Sequence, residues 1–169
     1  MRRTLTSAAP RRMGSALVTV MTMALAGCGE PAVGDLGRTA GVEGVVEVFE
    51  AWTGALADGD GARACGLMIV TAARDLTNEL GAASCPAAVT ALHGSLTVEE
   101  RAVLASATIH RTAVDFDSDD AARIWHSDVR STGGPFVLLP GRHKNVTVLC
   151  LCDDRWQVQY PAEFRQPSA

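Results

Sequence analysis

Four histidines, His93, His110, His126 and His143, and five cysteines, Cys28, Cys65, Cys85, Cys150 and Cys152, are the side chains best suited to bind a metal or attack a substrate. The histidines show neither the H-x-x-x-H nor the H-E-x-x-H spacing that sets two imidazoles on one helix face, and no G-x-S-x-G elbow occurs. No hydrolase signature is therefore present. Asp115, Asp117 and Asp119 begin like a calcium loop, but Asp120 stands where the turn glycine belongs and His126 where the bidentate Glu belongs. A solvated hairpin turn is the expectation there. Asp58 and Asp60, with no further ligands at fixed spacing, read as a plain turn. Cys150 and Cys152 are alternate residues of a candidate strand, which point to one face near the ~6.8 Å upper limit of Cα separation for a disulfide. Three arrangements stay open: a strained local disulfide, cross-pairing with Cys65 and Cys85, or two free thiols able to hold a soft metal such as Cu(I) with His143. C-x-C lacks the further ligands of a convincing metal site, so neither a metal nor a cofactor is expected.

Cys28 is of another kind. Arg2, Arg3, Arg11 and Arg12, with no acidic residue, precede the uncharged run Met13 to Gly27, the layout of an export signal. At 1.5 Å per residue that run makes a helix of roughly 22 Å, short of the ~30 Å hydrocarbon core a permanent span must cross. Leu25-Ala26-Gly27-Cys28 resembles the lipobox of bacterial lipoproteins at all four positions. That resemblance implies a diacylglyceryl group on the Cys28 thiol, cleavage before it, and acylation of the new amino group. Two or three acyl chains anchor stably, at ~0.8 kcal/mol per buried CH₂, where one binds marginally. Both arginine pairs lack the flanking residues of a twin-arginine signal, which favours the general secretory route. The expected location is the outer face of the cytoplasmic membrane.

Removing residues 1–27, with four arginines and no acid, takes the formal net charge from −4 to −8. No basic stripe is left to neutralise phosphates, so nucleic acid is not an expected partner. Such a surface is repelled by anionic lipid, which makes the acyl chains the whole membrane attachment. Residues 28–40, rich in Gly, Ala and Pro, read as a lipidated flexible tether, and residues 41–169 as one domain.

From Val42 the apolar residues Val45, Val46, Phe49, Trp52 and Leu56 recur at helical spacing up to Asp58-Gly59-Asp60-Gly61. Helices are expected at Ala62 to Met68, at Thr71 to Leu80, from Cys85 to about Leu96 behind a Ser84 cap, and to Leu104 behind a Thr97/Glu100 capping box. Beyond Ser106 the texture becomes β-branched and alternating. Strands are expected at Thr108 to Phe116, Ala121 to Val129, Phe136 to Leu139, Asn145 to Cys152 and Arg155 to Tyr160. Turn signals separate them at residues 117–120, Gly133-Gly134, Pro140-Gly141 and Asp153-Asp154. Helices first and strands after is the α+β pattern, with helices packed on one face of a curved, mainly antiparallel sheet.

The long first helix closing on Ala57-Asp58-Gly59-Asp60, then Ala64-Cys65-Gly66-Leu67-Met68, Cys85, and the late Asp153-Asp154-Arg155-Trp156-Gln157-Val158 hairpin resemble the NTF2-like (cystatin-like α+β) lipoproteins of actinobacteria. The resemblance covers most of residues 42–160 and implies a cone-shaped domain. With Cys28 lipidated, four cysteines remain and three pairings are possible; the resemblance favours Cys65 with Cys85, closing a loop of about 20 residues. In an NTF2-like cone the concave side of the sheet and the first helix line a pocket. There a carboxylate could take a proton and a Tyr or His could stabilise an oxyanion. The candidates are His110, Asp115, His126, Asp128 and Tyr160. The fold hosts both enzymes and binding domains. The leading expectation is a lipid-anchored, non-catalytic domain with a mainly apolar pocket for a small ligand or an envelope protein. The alternative is an isomerase, cyclase or dehydratase with an Asp general base.

Overall fold

The computed structural model describes residues 33–136, 138 and 145–159. Residues 25–28, His143 and Tyr160, and with them the lipobox, lie outside the described residues. The fold is α+β, with five helices and antiparallel sheets among the described residues.

The first helix, α1 (Gly41–Asp58), is the hub. Of its periodic residues Val45, Phe49, Trp52 and Leu56 are each at most 1% exposed, as is Val48, which the pattern did not include, whereas Val42 and Val46 are only part-buried. At its end Gly59 adopts φ 70°, a left-handed conformation that a Cβ disfavours. The chain then folds back, with Gly59 N–H donating to Leu56 O and Asp60 N–H to Ala55 O, which satisfies the last carbonyls. Asp60 caps α2 (Gly61–Gly66) by accepting from Arg63 N–H at 3.0 Å. A helix cap is thus the role of that acidic turn.

α3 (Val70–Glu79) follows, then α4 (Cys85–Ser95), capped by Ser84 accepting from Ala87 N–H. α5 (Val98–Ala105) carries the full capping box, with Thr97 Oγ1 accepting from Glu100 N–H and Glu100 accepting from Thr97 N–H. Cys65 and Cys85 form a disulfide across α2 and α4 with Cα atoms 6.1 Å apart. Closing that loop contributes about 3 kcal/mol.

The strands are β1 (Thr108–Ile109), β2 (Val114–Ser118), β3 (Ala121–Trp125), β4 (Val129–Arg130), β5 (Val146–Cys152) and β6 (Arg155–Gln159). Four of them make an antiparallel sheet in the order β2-β3-β5-β6, and β1 pairs with β4 in a separate ribbon. Ala122, Ile124, Thr147, Leu149, Trp156 and Val158 are buried on the sheet face that meets α1. Phe116, facing the same way, touches Trp156 edge-on. The outer edge of β6 is closed by loops: Trp156 N–H donates to Gly37 O, Val158 N–H to Leu67 O, and Val158 O accepts from Ile69 N–H.

Three expectations need correction. The strands expected over residues 108–116 and 121–129 are each broken, by 3-10 turns at Arg111–Ala113 and His126–Asp128. At the first, His110 offers its ring Nδ1 to Thr112 N–H, a local bond that competes with the ladder. No strand forms at Phe136 or Leu138; both side chains instead fill the core, Phe136 against Phe49 and His126. Residues 33–40, expected as part of a free tether, pack on the domain. Val33 is buried, and Gly37 bonds to both Trp156 and Glu47.

Candidate functional site

The two broken strands make the site. Pairing of Thr108 with Arg130 and Ile109 with Val129 sets both 3-10 turns side by side at the end of the β1–β4 ribbon. Between them opens a cleft of about 520 Å³ lined by His110, Thr112, Ala113, Ser127, Asp128 and Arg130. The first turn carries the chain from the ribbon into the main sheet and the second carries it back, and the cleft is the corner this leaves.

His110 is held by its own turn, with Nδ1 2.8 Å from Thr112 Oγ1 and accepting from Thr112 N–H at 3.4 Å. In the neutral ring an accepting Nδ1 puts the proton on Nε2, so the free edge of the imidazole is a donor. Asp128 and Arg130 are exposed and have no side-chain hydrogen bond or ion pair among the described residues. The cleft therefore offers a fork of guanidinium donors, an imidazole donor, two hydroxyls and a carboxylate acceptor. This lining is polar and open to water, against the apolar pocket expected from sequence.

His110 and Asp128 meet here; the other candidates do not. Asp115 stands on the sheet face turned away from the helices and accepts from Trp125 Nε1 at 2.8 Å. Asp117 pairs with Arg123 across the same hairpin, so Asp115 and Asp117 of the incomplete calcium pattern serve their own strands. His126 is buried, with Nε2 2.9 Å from Thr147 Oγ1 and its ring edge-on to Phe136 at 5.1 Å. It is a core side chain. Tyr160 lies outside the described residues. Among the described residues the helix-facing side of the main sheet carries apolar side chains and Thr147 but no carboxylate, and Glu50 of α1 is engaged by Ile109 N–H at 3.3 Å.

Thr112, Ser127 and Arg130 escaped the sequence reading. The available signal was local: His-x-Thr and Ser-Asp are turn formers within otherwise alternating strands, and the two interruptions lie at matching distances from the β2–β3 hairpin.

Cys150 and Cys152 are joined to each other, with Cα atoms 5.5 Å apart. Both sulfurs are thus occupied, and a soft-metal site would first need the bond reduced. Among the described residues no group of three or more His, Cys, Asp or Glu side chains is placed to hold a metal ion, and no helix is long and apolar enough to cross a membrane. Compared with family models, curated proteins and solved structures, the chain matches none.

Proposed function

We propose that the chain is an extracytoplasmic lipoprotein, held by acyl groups on Cys28, whose NTF2-like domain binds a small polar ligand or a polar loop of an envelope protein without catalysing a reaction on it. The binding site is the cleft between His110 and Arg130. The observation that carries this reading is the polar cleft at the sheet corner, beside a helix-facing sheet side that carries no carboxylate among the described residues. The cleft presents to solvent the charged groups of Asp128 and Arg130, which have no side-chain partner among the described residues, and the helix-facing sheet side offers no general base there.

A ligand bearing both an anionic and a donor group suits this lining. Arg130 matches a carboxylate bidentately, and Asp128 accepts from an ammonium or hydroxyl. Location rests on the export layout and the lipobox at residues 25–28. The α+β order, with helices on one face of an antiparallel sheet, supports the NTF2-like assignment.

Thermal-shift titration of the full chain in detergent with free amino acids, inorganic phosphate and monosaccharides tests the binding site. Zwitterions are expected to raise Tm, and Asp128→Asn and Arg130→Ala each to remove the rise without lowering the ligand-free Tm. Equal shifts in parent and variants would place binding elsewhere. Turnover of a probe dependent on Asp128 would overturn the non-catalytic reading.

A further inference from the structure

The two disulfides differ in what they do for the fold. Cys65–Cys85 spans 20 residues and ties α2 to α4, whereas Cys150–Cys152 spans 2 and lies within one strand. That strand is already fixed by five register pairs to β3 and five to β6. A bond across so short a loop restrains the unfolded chain little, and β5 does not need it for its place in the sheet.

Its surroundings suit exchange. Leu149 is buried beneath the sheet, so alternation turns Cys150 and Cys152 to the face away from the helices, where both are only part-buried. Cys150 is flanked across the sheet by Ala121 and Gln157, which are small or uncharged, and Cys152 by Arg155. The Arg155 guanidinium donates to Gly34 O at 3.4 Å, and its positive charge on the residue paired with Cys152 favours a thiolate there. Asp153 and Asp154, in the turn after Cys152 with φ 51° and 59°, act against it.

We propose that Cys150–Cys152 is a thiol–disulfide exchange site that oxidises a dithiol of another exported protein. A thiolate of that dithiol attacks Cys150 Sγ on the part-exposed face of the sheet. The Cys150–Cys152 bond breaks as the mixed disulfide forms, and Cys152 leaves as a thiolate next to Arg155. The partner's second thiolate then attacks its own sulfur in the mixed disulfide and releases Cys150. Two electrons and two protons pass from the dithiol to Cys150 and Cys152, the partner gains a disulfide, and Cys65–Cys85 takes no part. This does not depend on the cleft and goes beyond the binding reading.

The test uses the full chain in detergent with dithiothreitol as the dithiol, followed by acid quench, alkylation and mass spectrometry of the two cysteine pairs. Cys150–Cys152 is expected to open at least ~tenfold faster than Cys65–Cys85 and at a reduced-to-oxidised ratio at least ~tenfold lower, as an accessible bond does relative to a structural one. Circular dichroism of the sample with only the first pair open should match the oxidised chain. Arg155→Ala should slow opening several-fold, and Asp154→Asn should speed it, with Cys65–Cys85 unchanged in both. If both bonds open together, or Cys150–Cys152 opens only with loss of structure, the site is structural and the proposal fails. An R155A rate equal to the parent's would overturn the assignment of Cys152 as the departing thiol.

Discussion

His126 Nε2 and Thr147 Oγ1 lie 2.9 Å apart in the buried interior, joining the turn before β4 to the start of β5. One backbone bond runs beside them, from His126 N–H to Asn145 O at 2.8 Å. This pair fixes the corner of the sheet from inside, and the cleft lies on the outside of the same corner, formed in part by Ser127 and Asp128.

Thr147→Val keeps the shape and removes the hydroxyl from the imidazole. A lost buried hydrogen bond of this kind costs about 1 to 2 kcal/mol, read as a lower urea midpoint with an unchanged slope. Because the corner would loosen, amide exchange at Ser127 and Asp128 should also quicken. A T147V chain as stable as the parent would mean that the contact does not hold the corner.

The helical half was legible residue by residue. Glu100 three positions after Thr97, Ser84 before Cys85-Pro86, and Gly59 after Asp58 are each short-range signals, and each acts within one helical turn. The strand half was legible as a class but not in its breaks. Alternation from Thr108 to Phe116 continues through His110 and Thr112 even though the backbone turns there, since a turn of three residues barely disturbs a two-residue period. Turn formers at His110-x-Thr112 and Ser127-Asp128 mark each break locally, but the cleft depends on the two breaks meeting across the Thr108–Arg130 pairing, a contact that no local pattern encodes. Gly44 was also missed, because a glycine within a helix signals nothing until its neighbour is known.

That neighbour is Trp156. A Cβ on Gly44 would lie 2.6 Å from Trp156 Cδ1 and closer still to Thr39 O. Gly44→Ala should therefore destabilise the fold, although Ala favours a helix by ~1 kcal/mol over Gly. Overpacking of about 1 to 3 kcal/mol should outweigh the propensity gain, lowering Tm and shifting tryptophan fluorescence. Gly54, on the same helix with nothing within 4 Å of a Cβ, is the control, and Gly54→Ala should be neutral or stabilising.

Replacing Cys65 and Cys85 together by Ala should cost about 3 kcal/mol, and replacing Cys150 and Cys152 by Ser about half as much or less, following the loop lengths. Chemical denaturation of the two double variants checks this ordering. If the Cys150/Cys152 variant proved the less stable of the two, that bond would carry a structural burden its short loop does not explain.

Cys28→Ala tests the membrane attachment, and the packing of Val33 sharpens what it should show. Only five residue steps separate Cys28 from Val33, which is 3% exposed, so the proposed lipid on Cys28 would hold the docked turn at residues 33–37 within ~18 Å of the bilayer surface. C28A should keep the Tm and both disulfides of the parent while moving from the membrane pellet to the soluble fraction. The formal net charge of −8 for residues 28–169 gives the proposed attachment no second hold on anionic lipid. A C28A chain that stayed with the pellet, folded and resistant to alkaline carbonate, would show that residues 13–27 are retained as the anchor.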